Sequence, residues 1–191
     1  ADAFILGTQY DQGFGVEKSN WKAARCYLMA AEQGLADAQY KLGAMYAQGH
    51  GVEQNYGEAA RWYHKAAEQG HAQAQLSLGT MYNHGQGVKQ DYAEAVLYHR
   101  KAAEQGDRIA QYNLGNLHRA GNGVKQDLVE AVRWYQKAAD HGHANAQHAL
   151  GAMFANGEGV KRDSTLAVFW FQKAAGQGHE KAICMLKELT C

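Results

Sequence analysis

The fold is decided by residues 38–70, which read AQYKLGAMYAQGHGVEQNYGEAARWYHKAAEQG. In the first half, Ala38, Leu42 and Tyr46 follow one another at intervals of four residues. This spacing places the three side chains on one face of a helix. The second half has its own apolar stripe, which runs through Trp62 and Ala66. The stretch therefore predicts two amphipathic helices joined by a short glycine-containing loop.

The residues between and after these stripes are typical helix boundaries. Gly49 and Gly70 follow the two stripes, where glycine commonly ends a helix. Asn55 precedes the second stripe and can cap it by accepting a backbone N–H. Glu58 follows three residues later and predicts a reciprocal capping box. Helices of about 12–14 residues are marginal in isolation, so their stability must come from packing against neighbours.

The same pattern recurs along the chain with a period of 36 residues. Its leucine-glycine pairs are Leu6-Gly7, Leu42-Gly43, Leu78-Gly79, Leu114-Gly115 and Leu150-Gly151. Its capping residues are Ser19, Asn55, Asp91, Asp127 and Asp163. We predict a single domain over 1–191, made of five helix-turn-helix units at 2–37, 38–73, 74–109, 110–145 and 146–181. A capping helix is predicted at 182–191, where Leu186 is kept and Lys187 replaces the glycine.

The glycines have two predicted roles. The Gly-x-Gly pairs follow a helix and lack the third glycine of a dinucleotide loop, so they indicate chain reversal through positive φ angles. The glycine after each leucine lies inside a helix, where glycine costs about 1 kcal/mol against alanine. It therefore predicts the close approach of a second helix. The bulky residues expected opposite are Trp62, Tyr98, Trp134 and Trp170.

Composition excludes several classes of protein. Nineteen basic and nineteen acidic residues give a formal net charge of zero, which does not favour nucleic acid or an anionic membrane surface. No apolar run approaches the roughly 20 residues that span a bilayer. Three cysteines, Cys26, Cys184 and Cys191, do not form a disulfide framework. We see no signal peptide, and because the sequence starts with Ala1 and not with Met, we expect a mature or trimmed form.

The repeated phrase A-x-x-x-L-G-x-x-Y-x-x-G-x-G-V, followed by A-x-x-W-x-x-K-A-A-x-x-G, resembles the Sel1-like repeat. Departures are mild: Cys26 and Tyr98 stand at the tryptophan position, and His118 stands at the tyrosine position. The resemblance implies a right-handed α-solenoid related to tetratricopeptide repeats. It also implies an adaptor that binds other proteins without catalysis, without a cofactor or metal, and in bacteria is often exported to the periplasm or beyond.

The tetratricopeptide pattern implies that the first helices line a concave surface. Transferring its inward-facing positions gives a set of candidate partner-binding residues: Phe4, Tyr40, Leu76, Thr80, Asn83, His84, Tyr112, Asn116, Arg119 and His148. Tyrosines supply contact area at low entropic cost, and amides can bind a peptide backbone. The alternative is that these are ordinary solvated residues and the chain is a structural spacer.

Three further features have competing explanations. Ser19 and Lys22 form an S-x-x-K sequence, which would suit a penicillin-recognising enzyme, but Ser19 occupies the capping position. His71, His143 and His179 share one repeat position, which we interpret as exposed turn residues and not as metal ligands.

The N-terminal edge is the third such feature. Trp21 lies off the repeated tryptophan position and near the N-terminal end. Phe4 and Ile5 lie in the first helix of the same unit, which has no preceding unit in this sequence. We expect an incompletely covered surface there, available for weak self-association.

Overall fold

The structure is a computed structural model that describes residues 2–190, with side chains described through residue 187. Over these residues the chain forms eleven α-helices and no strand, as the sequence predicts. They are α1 (Asp2–Gln12), α2 (Asn20–Glu32), α3 (Ala36–Gln48), α4 (Tyr56–Glu68), α5 (Ala72–His84), α6 (Tyr92–Glu104), α7 (Arg108–Ala120), α8 (Leu128–Asp140), α9 (Ala144–Asn156), α10 (Ser164–Gly176) and α11 (Glu180–Thr190).

The helices form two compact units: unit 1 runs to Tyr98 and unit 2 begins at His99. In unit 1, α1 packs on α2 and α3 on α4, while α2 also contacts α3 and α4 contacts α5. In unit 2, each helix from α7 to α11 packs on the next one along the chain. This sequential packing of helix pairs is the α-solenoid arrangement that the 36-residue period predicts.

The second helices start at the predicted caps, but the capping box is only half formed. Asn55 has an extended backbone, and its Oδ1 accepts from the N–H of Glu58 at 3.0 Å. The N–H of Asn55 donates to the carbonyl of Tyr46 at 2.9 Å, so it is not available to Glu58. The Glu58 carboxylate instead meets Arg61 at 3.2 Å. The reciprocal arm of the box was therefore a wrong prediction.

The glycine pairs reverse the chain, as predicted. Gly49 ends α3 in the left-handed conformation, and its N–H donates to the carbonyl of Met45. Gly51 also has a positive φ, of 74°, and a Cβ there would collide with the backbone of Asn20 at the start of α2. Val52 follows and packs against the core between α2 and α3.

The core contains the repeated leucines and alanines, but the tryptophans do not face the mid-helix glycines. A Cβ on Gly43 would lie 2.8 Å from Cδ1 of Tyr63, not from Trp62. Trp62 is also buried, and it packs with Leu42 and Met45 and with alanines of α2. Adjacent helical residues point about 100° apart, so the tyrosine covers the glycine while the tryptophan covers the core between α2 and α3.

The same correction applies to the other glycines whose surroundings are described. The ring partners are Tyr27 for Gly7, Tyr135 for Gly115 and Phe171 for Gly151. Each of these three rings is fully buried. The close helix approach was predicted correctly, and only the residue that makes it was misassigned.

A buried glutamine joins successive helix pairs. Gln39 is 4% exposed, and its Nε2 donates to the carbonyl of Ala31 at 3.1 Å. Three glutamines repeat this bond at the same position: Gln75 to Ala67, Gln111 to Ala103 and Gln147 to Ala139. Carbonyls in the last turn of a helix have no intrahelical partner. The carbonyl of Ala31 accepts from the N–H of Gly34 just beyond the helix, and Gln39 adds a second donor that links this helix end to the next pair.

Replacing Gly151 by alanine should destabilise unit 2, because the new Cβ would lie 2.8 Å from Cδ1 of Phe171 and 3.2 Å from the carbonyl of Ala167. We expect a loss of about 1–3 kcal/mol, measured by urea unfolding. Gly176 is the control: it is the last residue of α10, also in unit 2, and it has nothing within 4 Å. Gly176→Ala should be neutral or stabilising by up to about 1 kcal/mol. Equal effects of the two substitutions would contradict the ring-on-glycine packing.

Candidate functional site

Unit 2 contains a groove of about 610 Å³ across its first helices, here called the unit 2 groove. Four of the predicted partner-binding residues line it: Tyr112, Asn116, Arg119 and His148. The other lining residues are Tyr135, Asn145, Ala149, Ala152, Met153, Asn156, Glu158, His179, Glu180 and Lys181. The lining residues therefore come from α7, α9 and α11, from His179 directly before α11, from Glu158 in the loop after α9, and from the buried Tyr135 of α8.

Helix α7 supplies one wall. Tyr112, Asn116 and Arg119 lie at i, i+4 and i+7 and so share a face of the helix. Tyr112 is half-buried, with its ring 5.8 Å from that of Tyr135 and stacked at 4.7 Å on the imidazole of His143. It therefore contributes to packing as well as to the surface of the groove.

Asn116 is held in one orientation by the core. The hydroxyl of Tyr135 donates to Oδ1 of Asn116 at 2.7 Å. Burial raises the pKa of Tyr135 to about 12, and the positive charge of Arg119 opposes that shift only in part. The hydroxyl thus stays protonated and remains a donor. With its oxygen engaged, Asn116 presents the Nδ2 hydrogens to a ligand.

The rim of the groove has balanced charge. Arg119 is exposed and makes no ion pair within the described part of the chain. Glu158 accepts from Nδ2 of Asn156 at 3.0 Å, which leaves the Asn156 oxygen available as an acceptor. Lys181 and Glu180 add one charge of each sign in the first turn of α11. Donors and acceptors consequently alternate around a formally neutral opening.

Two stacked histidines form the opposite end. The rings of His148 and His179 are 4.6 Å apart. His179 Nδ1 accepts from the N–H of Ala182 at 3.2 Å, so its proton is on Nε2, which lies 3.1 Å from Oδ1 of Asn145. Burial lowers the pKa of His148, and the nearby His179 and Lys181 lower it further. His148 is therefore a neutral ring at neutral pH.

The histidines at the shared repeat position are helix caps, which corrects their interpretation as exposed turn residues. His71, His143 and His179 are all half-buried, and each accepts a backbone N–H three residues on, at 3.2 Å. Each also stacks on the ring 31 residues earlier: Tyr40, Tyr112 and His148 respectively. Among the residues that the structure describes, no group of three or more metal-ligating side chains lies together.

The remaining predicted residues lie in unit 1. Phe4 and Tyr40 are half-buried and pack on Tyr27 and Tyr63. On α5, the Thr80 hydroxyl donates to the carbonyl of Leu76 at 3.0 Å. Asn83 and His84 contact each other through their side chains at 3.3 Å. These six residues are not part of the unit 2 groove.

Sequence reasoning missed the residues that close the groove. Asn145 lies in the first turn of α9, Glu158 lies between the paired glycines of a loop, and Glu180 and Lys181 open α11. The predicted positions came from the middle and the last turn of each first helix, and the tail was assigned only a capping role. The residue between the paired glycines differs from unit to unit, and in the fifth unit it is Glu158. This variation was the one feature of the sequence that could have indicated a role for the loop.

Ser19 and Lys22 serve the start of α2. The Ser19 hydroxyl accepts from the backbone N–H of Lys22 at 3.4 Å, which is a capping contact. The amine of Lys22 lies 5.2 Å from the ring centroid of Tyr10. This arrangement gives no support to the enzyme alternative.

The N-terminal edge is partly uncovered, as predicted. Ile5 is 57% exposed and Trp21 is 56% exposed, with the guanidinium of Arg25 4.9 Å from the Trp21 ring.

Cys184 is exposed and unbridged, and Cys26 is half-buried and unbridged. Cys191 lies outside the described residues.

This fold and groove define a helical-repeat protein of the α-solenoid class, a class generally engaged in protein–protein interaction. The Sel1 repeat family model matches five consecutive segments, residues 3–35, 36–71, 72–107, 108–143 and 144–179. The chain belongs to the Sel1 repeat family. The resemblance found in the sequence is therefore confirmed.

Solved structures of the same family are closely similar. A Sel1 repeat protein from Oxalobacter formigenes is 40% identical, with a TM-score of 0.88 over 96% of this chain and 73% of its own. The protein c5321, a protective antigen of uropathogenic Escherichia coli with the same repeat fold, is 37% identical, with a TM-score of 0.94. The match covers 96% of this chain but only 39% of c5321.

A sequence search of curated proteins gave no match. In the portion of the chain that is described, no helix is long and apolar enough to cross a membrane.

Acid should destabilise unit 2 through His143. Burial, and then the charge of Arg108, lower the pKa of this histidine below 6.5, while Asp107 opposes them. The unfolded chain then takes up the proton first, so stability is intact above pH 6.5 and falls as pH decreases toward the folded-state pKa. Urea unfolding between about pH 8 and about pH 5 should show this loss.

Two variants separate the charge from the cap. His143→Asn keeps a capping oxygen but does not titrate, so its stability should depend less on pH than that of the wild type. His143→Ala should lose about 1 kcal/mol even at about pH 8, because the N–H of Ala146 loses its acceptor. An unchanged pH dependence in His143→Asn would show that His143 is not responsible.

Proposed function

We propose that this protein is a non-enzymatic adaptor that binds an extended segment of a partner protein in the unit 2 groove. The observation that carries the proposal is the convergence of Tyr112, Asn116, Arg119 and His148 in one groove with donors and acceptors left for a ligand. Protein binding is the general role of the class, and the groove supports a location for it in this chain.

An extended peptide fits the polarity of the rim. A peptide backbone presents a carbonyl acceptor and an N–H donor at each residue. Asn116 and Arg119 offer donors on one wall, and Asn156 and Glu158 offer acceptors close by. Because the Tyr135 hydroxyl already fixes Asn116, binding does not have to order that side chain. Such preorganisation lowers the entropic cost of association.

The rings of the groove supply contact area. Tyr112 and His148 are each stacked on a capping histidine, so their orientations are set before a partner arrives. Rigid aromatic side chains contribute large contact area with few rotatable bonds. In unit 1, Phe4, Tyr40, Leu76, Thr80, Asn83 and His84 remain proposed partner contacts of that unit.

Arg119 is the best residue with which to test the groove. Tyr112 and Asn116 both contact Tyr135, so replacing them would also perturb the fold. Arg119 is exposed, makes no ion pair within the described residues, and touches the core only through the Tyr135 hydroxyl, so Arg119→Glu should leave the protein folded. Lys125→Glu, in the loop before α8, makes the same change of charge outside the groove.

The experiment is selection of a displayed library of random peptides on the purified wild-type protein, followed by affinity measurements by calorimetry. Arg119→Glu should weaken the selected peptides at least tenfold, about 1.4 kcal/mol. Lys125→Glu should bind them like the wild type. Failure to select any peptide, or equal binding by the Arg119→Glu protein, would contradict the proposed function.

A further inference from the structure

We propose that the part of the unit 2 groove over α9 is a specificity pocket for one large apolar side chain of the bound segment. The inference rests on the proposed function and adds to it the class of residue that the partner must present. It comes from the shape of α9 relative to its neighbours, together with the chemistry of the surrounding rim.

The floor of the groove is low and apolar on α9. Ala149 and Ala152 are half-buried, and Met153 beneath them is 2% exposed. One repeat earlier, α7 carries Asn113 and Asn116 at the positions of these two alanines. The asparagine side chains of α7 therefore extend further from their helix than the alanine side chains of α9. The shorter side chains leave a hollow over α9.

No other unit has alanine at both positions. Counting back in steps of 36 residues, the position of Ala149 holds Ile5, Lys41, Ser77 and Asn113, and that of Ala152 holds Thr8, Ala44, Thr80 and Asn116. Larger side chains are thus compatible with the fold at these positions. The two alanines are specific to the fifth unit, where the groove forms.

The sides of the hollow suit an apolar guest. Tyr112, His148 and His179 contribute rings, and all three residues are half-buried. The charged residues at the rim are Arg119 and Lys181 against Glu158 and Glu180, which sum to zero. A guest side chain therefore gains no net attraction from carrying a charge, whereas an apolar one is removed from water against alanine and methionine.

The dimensions and the rim indicate a peptide as the occupant. A volume of about 610 Å³ lies within the range of about 300–1,000 Å³ typical of ligand sites. The opening carries donors from Asn116 and Arg119 and acceptors from Asn156 and Glu158. A backbone can pair with both kinds of group while one of its side chains enters the hollow.

The test fills the hollow with side chains that the fold already accepts. The double substitution Ala149→Asn and Ala152→Asn gives α9 the inner face of α7. We expect it to stay folded, with a somewhat lower urea midpoint because asparagine favours a helix less than alanine, and to bind the selected peptides at least tenfold more weakly. Ala44→Asn is the matched control, since it makes the same change at the equivalent position of α3 in unit 1, and it should bind like the wild type.

The peptides provide the second half of the test. Those selected by the wild type should share one Leu, Ile, Met, Phe, Tyr or Trp position, and replacing that residue by alanine should also weaken binding at least tenfold. The filled protein, Ala149→Asn/Ala152→Asn, should bind the selected peptide and its alanine variant with equal affinity. The protein substitutions and the peptide substitution remove the same interaction, so their effects should not add. If the double variant is unstable, Ala152→Thr replaces it, since Thr8 and Thr80 occur at that position, and a loss of about threefold is expected.

The outcomes separate the two proposals. Peptides that depend on Arg119 but bind the filled protein with unchanged affinity would overturn the pocket and leave the proposed function intact. Selected peptides that share only a charged residue would do the same. The absence of any peptide that depends on Arg119 would overturn both.

Discussion

The contact on which the rest of the structure depends is that between an aromatic ring of a second helix and the glycine of the first helix in the same pair. A Cβ on Gly43 would lie 2.8 Å from the ring of Tyr63, and Gly7, Gly115 and Gly151 have the same environment. Glycine costs about 1 kcal/mol against alanine inside a helix, and the ring that packs on it offsets this cost. This contact sets the distance between helices and thereby the position of every inner-face side chain.

The unit 2 groove follows from this geometry. Tyr135 packs its ring over Gly115, and its hydroxyl reaches Oδ1 of Asn116 at 2.7 Å. One side chain thus fixes the helix spacing and orients a binding group. The capping histidines have a similar double role, because His143 starts α9 and supports the ring of Tyr112. Residues that hold the pairs together and residues that we propose as partner contacts are therefore in direct contact.

The helices, their caps and the chain reversals could be predicted from the sequence, because local chemistry and the 36-residue period determine them. Asn55 and its equivalents cap the predicted helices, and the glycine pairs reverse the chain, because capping and positive φ depend on few neighbours. The choice between Trp62 and Tyr63 as partner of Gly43 was missed, since adjacent residues both fit an apolar stripe. The groove combined predicted residues, such as Asn116, with residues from helix ends and a loop, and such juxtapositions have no periodic signal in the chain.

The repeated glutamine bond has a consequence for how such chains lengthen and fail. Gln39, Gln75, Gln111 and Gln147 each bind the same carbonyl of the preceding helix, so neighbouring pairs meet through nearly identical surfaces. Duplication of one whole pair would create no new kind of interface, which makes insertion in steps of a full repeat structurally inexpensive. The same uniformity weakens the preference of a pair for its own neighbour during folding, and misassembly between equivalent elements is a characteristic hazard of repeat proteins.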